Sequence, residues 1–257
     1  MILTVDINNT SVVFAVMDEG KALFMSRLAS DKSRTADEYA VLIEWAFRQR
    51  SFDVKMVEGA IISSVVPPLT AVIKEAVILV TGRAPLVIGP GVKTGLNIRL
   101  DDPTELGGDF VASAVAAIAS YPLPCVIVVM GTAIAMGILD KNGNYIGGII
   151  SPGPMVSQEA LARGAAMLSN VSITPTPQVI CKGTNACIQS GIINGSAAMI
   201  DGLLDRVETE LGEPVTVVAC GDWVDTITPY CLRKGLVTDK EILMRGLWMI
   251  YKKNRRT

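Results

Sequence analysis

Ile2-Leu3-Thr4-Val5-Asp6-Ile7-Asn8-Asn9-Thr10-Ser11-Val12-Val13-Phe14-Ala15-Val16-Met17-Asp18-Glu19-Gly20 is the stretch that decides the fold. Ile2–Asp6 predicts a short apolar strand, Ile7–Thr10 a polar turn, and Ser11–Met17 a second strand. Asp18-Glu19-Gly20 is a tight hairpin turn that feeds a third strand, Lys21–Arg27. The same order returns later: Val126–Met130 as strand, Gly131-Thr132 as turn, Ala133–Leu139 as strand, Asp140-Lys141-Asn142-Gly143 as hairpin turn. At an offset of 123 residues, Gly20 falls on Gly143, Asn9 on Thr132 and Asp6 on Val129. Two readings fit: a duplicated nucleotide clamp whose first turns face phosphates across a cleft, or two unrelated hairpins.

Outward from these units, strands alternate with helices, which indicates an α/β fold. Thr35-Ala36-Asp37-Glu38 is a capping-box pattern that opens a helix through about Arg48. Gly59–Val65 predicts a strand that ends at Pro67-Pro68, with a helix from about Thr70, and Leu86–Ile88 a strand entering the glycine-rich Gly89–Gly95. In the second half a helix is expected from about Ser157, a long amphipathic helix over Gly195–Leu211 stopped by Gly212, and a strand over Val215–Ala219. The basic tail Lys252-Lys253-Asn254-Arg255-Arg256 reads as a frayed, solvated helix end or an anion site.

Composition removes several classes of function. At 257 residues the chain can bury a sizeable core without staples. Its 23 Lys+Arg against 25 Asp+Glu argue against a general nucleic-acid or anionic-membrane partner. With no histidine, Ser-His-Asp and Cys-His nucleophilic sites and His-ligated zinc are impossible, so acid–base work falls to Asp, Glu, Lys, Cys or Tyr. Cys125, Cys181, Cys187, Cys220 and Cys231 include no C-x-x-C pair and read as reduced thiols. The N-terminus has no basic region before its apolar run, so it does not read as a signal peptide. Residues 110–139 carry no charge, but Pro122 and Pro124 divide them into pieces too short to span a bilayer, which needs about 20 apolar residues. A soluble, cytoplasmic protein is expected.

Two carboxylates stand out. Asp6 ends an apolar strand against a polar turn, where α/β proteins place ligands. It could hold magnesium, directly or through water, beside Asn9 and Thr10, or be an ordinary turn-forming aspartate. Asp109 follows Gly107-Gly108 at the mouth of an apolar helix, as a partner of the helix dipole or a general base. Gly89–Gly95 lacks the P-loop spacing and reads equally as an anion loop or a structural turn.

Asp6-Ile7-Asn8-Asn9-Thr10 resembles the D-x-G-N-T phosphate motif of the type III pantothenate kinases, members of the acetate-kinase/sugar-kinase/Hsp70/actin superfamily. Arg34–Tyr39, Ile61–Pro68, Gly89–Gly95, Gln189-Ser190-Gly191 and Asp201-Gly202-Leu203 also match family segments, in order, from Met1 to about Tyr251. The resemblance implies duplicated actin-like/ribonuclease-H-like ATPase domains with a cleft between them, divided at 1–121 and 122–257. It implies transfer of the ATP γ-phosphate to pantothenate, the first step toward coenzyme A, with magnesium and with potassium or ammonium, by a homodimer. Carried over by position, Asp109 would be the catalytic base. Asp6, Asn8, Asn9, Thr10 and Thr132 would bind the ATP phosphates, with Asp6 on the magnesium, and Gly107, Gly108 and Thr184 would bind pantothenate.

The chain departs from the family pattern at several of these places. Val129 stands where the family uses an acid for its monovalent cation, and Val cannot ligate one, so no cation site is expected there. Phe110 replaces the arginine after the catalytic acid, Leu100 a tyrosine, Asn8 the first-motif glycine, and Asp222 a glycine after Gly221. The alternative function is a catalytically impaired paralogue. That protein would be a non-catalytic partner of an active relative in a heterodimer, or a regulator binding a small molecule. A phosphotransferase with another acceptor is a third reading.

Overall fold

The computed structural model describes residues 1–165, 168, 171–176 and 178–255. By its packing the chain divides into two compact units, one formed by Met1–Ser120 with the C-terminal segment from Glu241, the other by Tyr121–Lys240.

The first unit begins with β1 (Ile2–Ile7), β2 (Ser11–Asp18) and β3 (Lys21–Ala29), followed by α1 (Ala36–Gln49), β4 (Gly59–Ser64), α2 (Pro67–Thr81), β5 (Leu86–Val87), β6 (Asn97–Ile98) and α3 (Gly108–Ser120). Its main sheet runs β3-β2-β1-β4-β5, with β1 antiparallel to β2 and parallel to β4. Glu19 and Gly20 both take positive φ in the β2–β3 hairpin, the pair of left-handed residues that a two-residue hairpin turn requires. The expected capping box is formed, with Thr35 and Glu38 each accepting the other's backbone N–H.

Side chains alternate along each strand, so the sheet buries both faces. Leu3, Val5, Ile7 and Phe14 pack with Tyr39, Ile43, Phe47, Leu69 and Ile73 of α1 and α2. On the other face Ile2, Ala15, Met17 and Ile61 meet α3 and the last helix.

The second unit holds β7 (Cys125–Met130), β8 (Ala133–Leu139), β9 (Asn144–Pro152), α4 (Pro154–Gly164), α5 (Thr184–Leu211), β10 (Thr216–Cys220), the single turn α6 (Val224–Ile227) and β11 (Val237–Thr238). Its strands run β9-β8-β7-β10-β11, the order of the first unit repeated. An offset of 123 carries Ile2–Ile7 onto Cys125–Met130 and Lys21–Ala29 onto Asn144–Pro152, so the repeat is a structural duplication. All five cysteines are free thiols.

Four expectations differ from the structure. α2 and α4 start at Pro67 and Pro154, three residues before the expected Thr70 and Ser157. Proline at the first helical position lacks only an N–H that would be unpaired anyway, so these prolines begin the helices. α5 starts at Thr184 rather than Gly195; Gly191 and Gly195 weaken its local signal by about 1 kcal/mol each, and buried Ile188, Ile192 and Ile193 hold the added turns.

The fourth is the C-terminus. A split at 121/122 would leave it in the second half, yet α7 (Ile242–Asn254) packs in the first unit through Met244, Leu247 and Ile250. The helix end is docked rather than frayed: Asn254 exchanges two hydrogen bonds with the Lys93 backbone, both 2.9 Å. Lys253 Nζ reaches Thr94 O at 3.4 Å, which gives Gly89–Gly95 a structural role; Arg256 lies outside the described residues.

Candidate active site

The first unit brings Asp6, Asn8, Gly107, Gly108 and Asp109 into one neighbourhood. Asp6 is the penultimate residue of β1, paired with Val13 on one side and Ser63 on the other. Alternation places it on the face that packs against α3 and α7, where Thr4 already contacts Met244. The carboxylate is only 2% exposed. Asn8 Nδ2 donates to Oδ2, while Oδ1 is buried with no hydrogen-bond partner among the described residues.

Burial pushes the Asp6 carboxyl up to about 7, and the nearby negative charge of Asp109 pushes the same way. Ser63, Asn8 and Arg27 pull it back down in part. Ser63 Oγ therefore lies near enough to act on the carboxylate, although it is not placed to complete a hydrogen bond. A buried acid with an open oxygen and an acidic neighbour is poised for a cation.

The polar turn after β1 is held from behind. Asn8 N–H donates to Ser11 O at 2.8 Å, and the Ser30 hydroxyl donates to Asn8 O. Asn9 and Thr10 stand exposed at the tip.

Asp109 lies in the first turn of α3, half-buried, with Val111 N–H bonded to Gly107 O at 3.0 Å to begin the helix. Desolvation raises its pKa, while the backbone N–H groups of Phe110 and Asp109 itself favour the charged form. The two preceding glycines permit close approaches. A Cβ on Gly107 would overlap Asp109 Oδ1, and one on Gly108 would lie 3.1 Å from Ser63 Oγ and 3.2 Å from Ile88 Cγ2.

In the second unit Thr132 is exposed at the β7–β8 turn, the counterpart of Asn9. Gly131 N–H bonds Ala133 O at 2.9 Å and Gly153 N–H bonds Thr132 O at 3.0 Å. A Cβ on Gly153 would strike Gly131 O and Thr132 O; one on Gly221, at φ +99°, would strike Met130 O at 2.5 Å. Thr184 is exposed at the first position of α5, capped by Gly183. Val129 occupies the Asp6 position of the duplicated sheet, paired with Ala135 and Cys220, and offers no ligand. Among the described residues no group of three or more His, Cys, Asp or Glu side chains could hold a metal, and no helix is long and apolar enough to cross a membrane.

The sequence model of the type III pantothenate kinase family matches residues 2–206. This chain belongs to the type III pantothenate kinase family. A type III pantothenate kinase of Exiguobacterium sibiricum is 40% identical over 99% of this chain and 100% of its own length. That of Rhodospirillum centenum is 39% identical, covering 99% of each chain. Among solved structures, component A of the (R)-2-hydroxyglutaryl-CoA dehydratase of Acidaminococcus fermentans superposes with a TM-score of 0.55 at 13% identity, over 98% of this chain and 97% of that one. A ROK hexokinase of Thermus thermophilus gives 0.51 at 14% identity over 98% and 99%. The likeness to these two shows the fold, the duplicated actin-like α/β architecture.

For this family member, the sequence reading missed Ser63, Gly153 and Gly221. Ser63 left one signal, a polar residue closing the apolar run Ala60-Ile61-Ile62. The two glycines act through backbone contacts that no local pattern announces.

Proposed function

We propose that this chain transfers the γ-phosphoryl group of ATP to the primary hydroxyl of pantothenate. Asp109 takes the hydroxyl proton as the oxygen–phosphorus bond forms and ADP leaves. The observation that carries this reading is the pairing of two buried-side carboxylates within one family-matched unit. Asp6 has an open oxygen and an acidic neighbour, and desolvation raises the pKa of Asp109, which makes its carboxylate a stronger proton acceptor.

Magnesium fits the oxygen-only donor set at Asp6, held directly or through water, and would neutralise phosphate charge there. By the family motif, Asn8, Asn9, Thr10 and Thr132 are assigned to the ATP phosphates, and Gly107, Gly108 and Thr184 to pantothenate. Val129 leaves this chain without the family's cation ligand, so turnover runs without stimulation by potassium or ammonium. Phe110, in place of a guanidinium, leaves the pantothenate carboxylate less firmly held. The working form is a homodimer.

Pantothenate-dependent ADP release from purified protein with magnesium tests the reading, with Asp109→Asn as control. Loss of general-base catalysis should lower kcat by about 10²–10⁴-fold. No turnover in the unmodified, folded protein would sink the proposal in favour of the non-catalytic paralogue.

A further inference from the structure

Ser63 closes β4 and lies directly opposite Asp6 in the parallel β1–β4 register. It shares with Ile61 the sheet face that packs against α3 and α7. The residue is 0% exposed, yet its Oγ has no hydrogen-bond partner among the described residues, and Asp6 Oδ1 beside it is equally open. Neighbouring Ser64 shows the ordinary alternative: its Oγ accepts from Val66 N–H at 3.1 Å and from Thr70 Oγ1 at 2.8 Å. An open buried hydroxyl is costly unless another state of the protein uses it. The start of α3 also closes over this hydroxyl, since a Cβ on Gly108 would stand 3.1 Å from it.

We propose that Ser63 is a positioning residue of the transfer site, its hydroxyl donating to Asp6 Oδ1 and fixing that carboxylate in one orientation toward the phosphate turn. Ser63 touches no reacting atom; it acts through Asp6, and the inference rests on the reading of Asp6 as the magnesium-side carboxylate.

The test uses the full chain with Ser63→Ala and Ser63→Cys, by steady-state kinetics and by calorimetric titration of ADP with and without magnesium. Ser63→Ala should keep its melting temperature and lose about tenfold in kcat, the loss expected for one hydrogen bond to a charged group. The KM for pantothenate should stay within about twofold, because ground-state binding of the acceptor is untouched. Magnesium-dependent ADP affinity should fall by about tenfold while the magnesium-free affinity is unchanged, and Ser63→Cys should recover part of both losses. Wild-type values in Ser63→Ala would overturn the proposal. So would a fall in melting temperature that takes both ADP affinities down together without recovery in Ser63→Cys, the signature of a packing residue. If the unmodified chain binds ADP with magnesium but does not turn over pantothenate, the transferase reading falls, while the difference between the two titrations still decides Ser63. Absence of magnesium-dependent ADP binding in the unmodified chain would overturn both.

Discussion

Gly107→Ala tests whether the glycines before Asp109 exist to place its carboxylate. The added Cβ would sit well inside 3.0 Å of Asp109 Oδ1 and 3.4 Å from Val65 Cγ1. Val65 Cγ1 is at ordinary contact distance, so only the carboxylate must yield, and it is the movable end of a short side chain. It has to retreat by about 1 Å, a displacement that costs about 10²-fold in rate when it befalls a reacting group. Gly107 does not take a positive φ, so alanine brings no backbone strain. Leaving its bonds to the Phe110 and Asp109 backbone N–H groups, Asp109 loses a helix N-terminal interaction of about 0.3–1 kcal/mol. The expected variant therefore melts within a few degrees of the parent and has kcat reduced by about 10²-fold. ADP-release kinetics and a thermal melt on the same preparation measure both. A Gly107→Ala protein with parental kcat would refute the reasoning, and so would one that fails to fold.

Three other outcomes follow from the same geometry. The Asp6 carboxyl is raised from 3.8 to about 7, so between those values the folded state binds more protons and its stability falls as pH rises, by about 4 kcal/mol across the full shift. The ligand-free protein should melt lower at pH 7.5 than at pH 5, and Asp6→Asn should flatten that slope; an equal slope in the variant would assign it elsewhere. Gly246→Ala places a Cβ against the backbone oxygen of Ala112, where no side chain can give way. It should cost about 1–3 kcal/mol or more by chemical denaturation, and an unchanged midpoint would mean α3 and α7 do not pack this closely. Replacing sodium by potassium or ammonium should leave kcat unchanged in the parent, and Val129→Asp should introduce a response; stimulation of the parent would show that other ligands hold the cation.

Much of this protein is legible in its sequence because its local signals are strong. The hairpin at Glu19-Gly20, the capping box at Thr35 and the stop at Gly212 each depend on a few adjacent residues whose backbone preferences agree with the final structure. The offset of 123 carried the duplication, since alternating apolar strands between fixed turns leave little freedom in pairing order. Asp6 and Asp109 stand out in the sequence as candidates, by motif and by their positions at a strand end and a helix mouth. Packing decided the rest. Nothing local in Ile242–Asn254 says that this helix returns to the first unit, because an apolar face specifies that it is buried but not against what. Nor does any pattern announce that Ser63 stands beside Asp6, or that Gly107 and Gly108 lack side chains to make room for Asp109 and Ser63. Both carboxylates owe their raised pKa values to exclusion of water, and Asp6 also to the charge of Asp109, properties of a three-dimensional neighbourhood assembled from β1, β4 and α3, segments far apart in the chain.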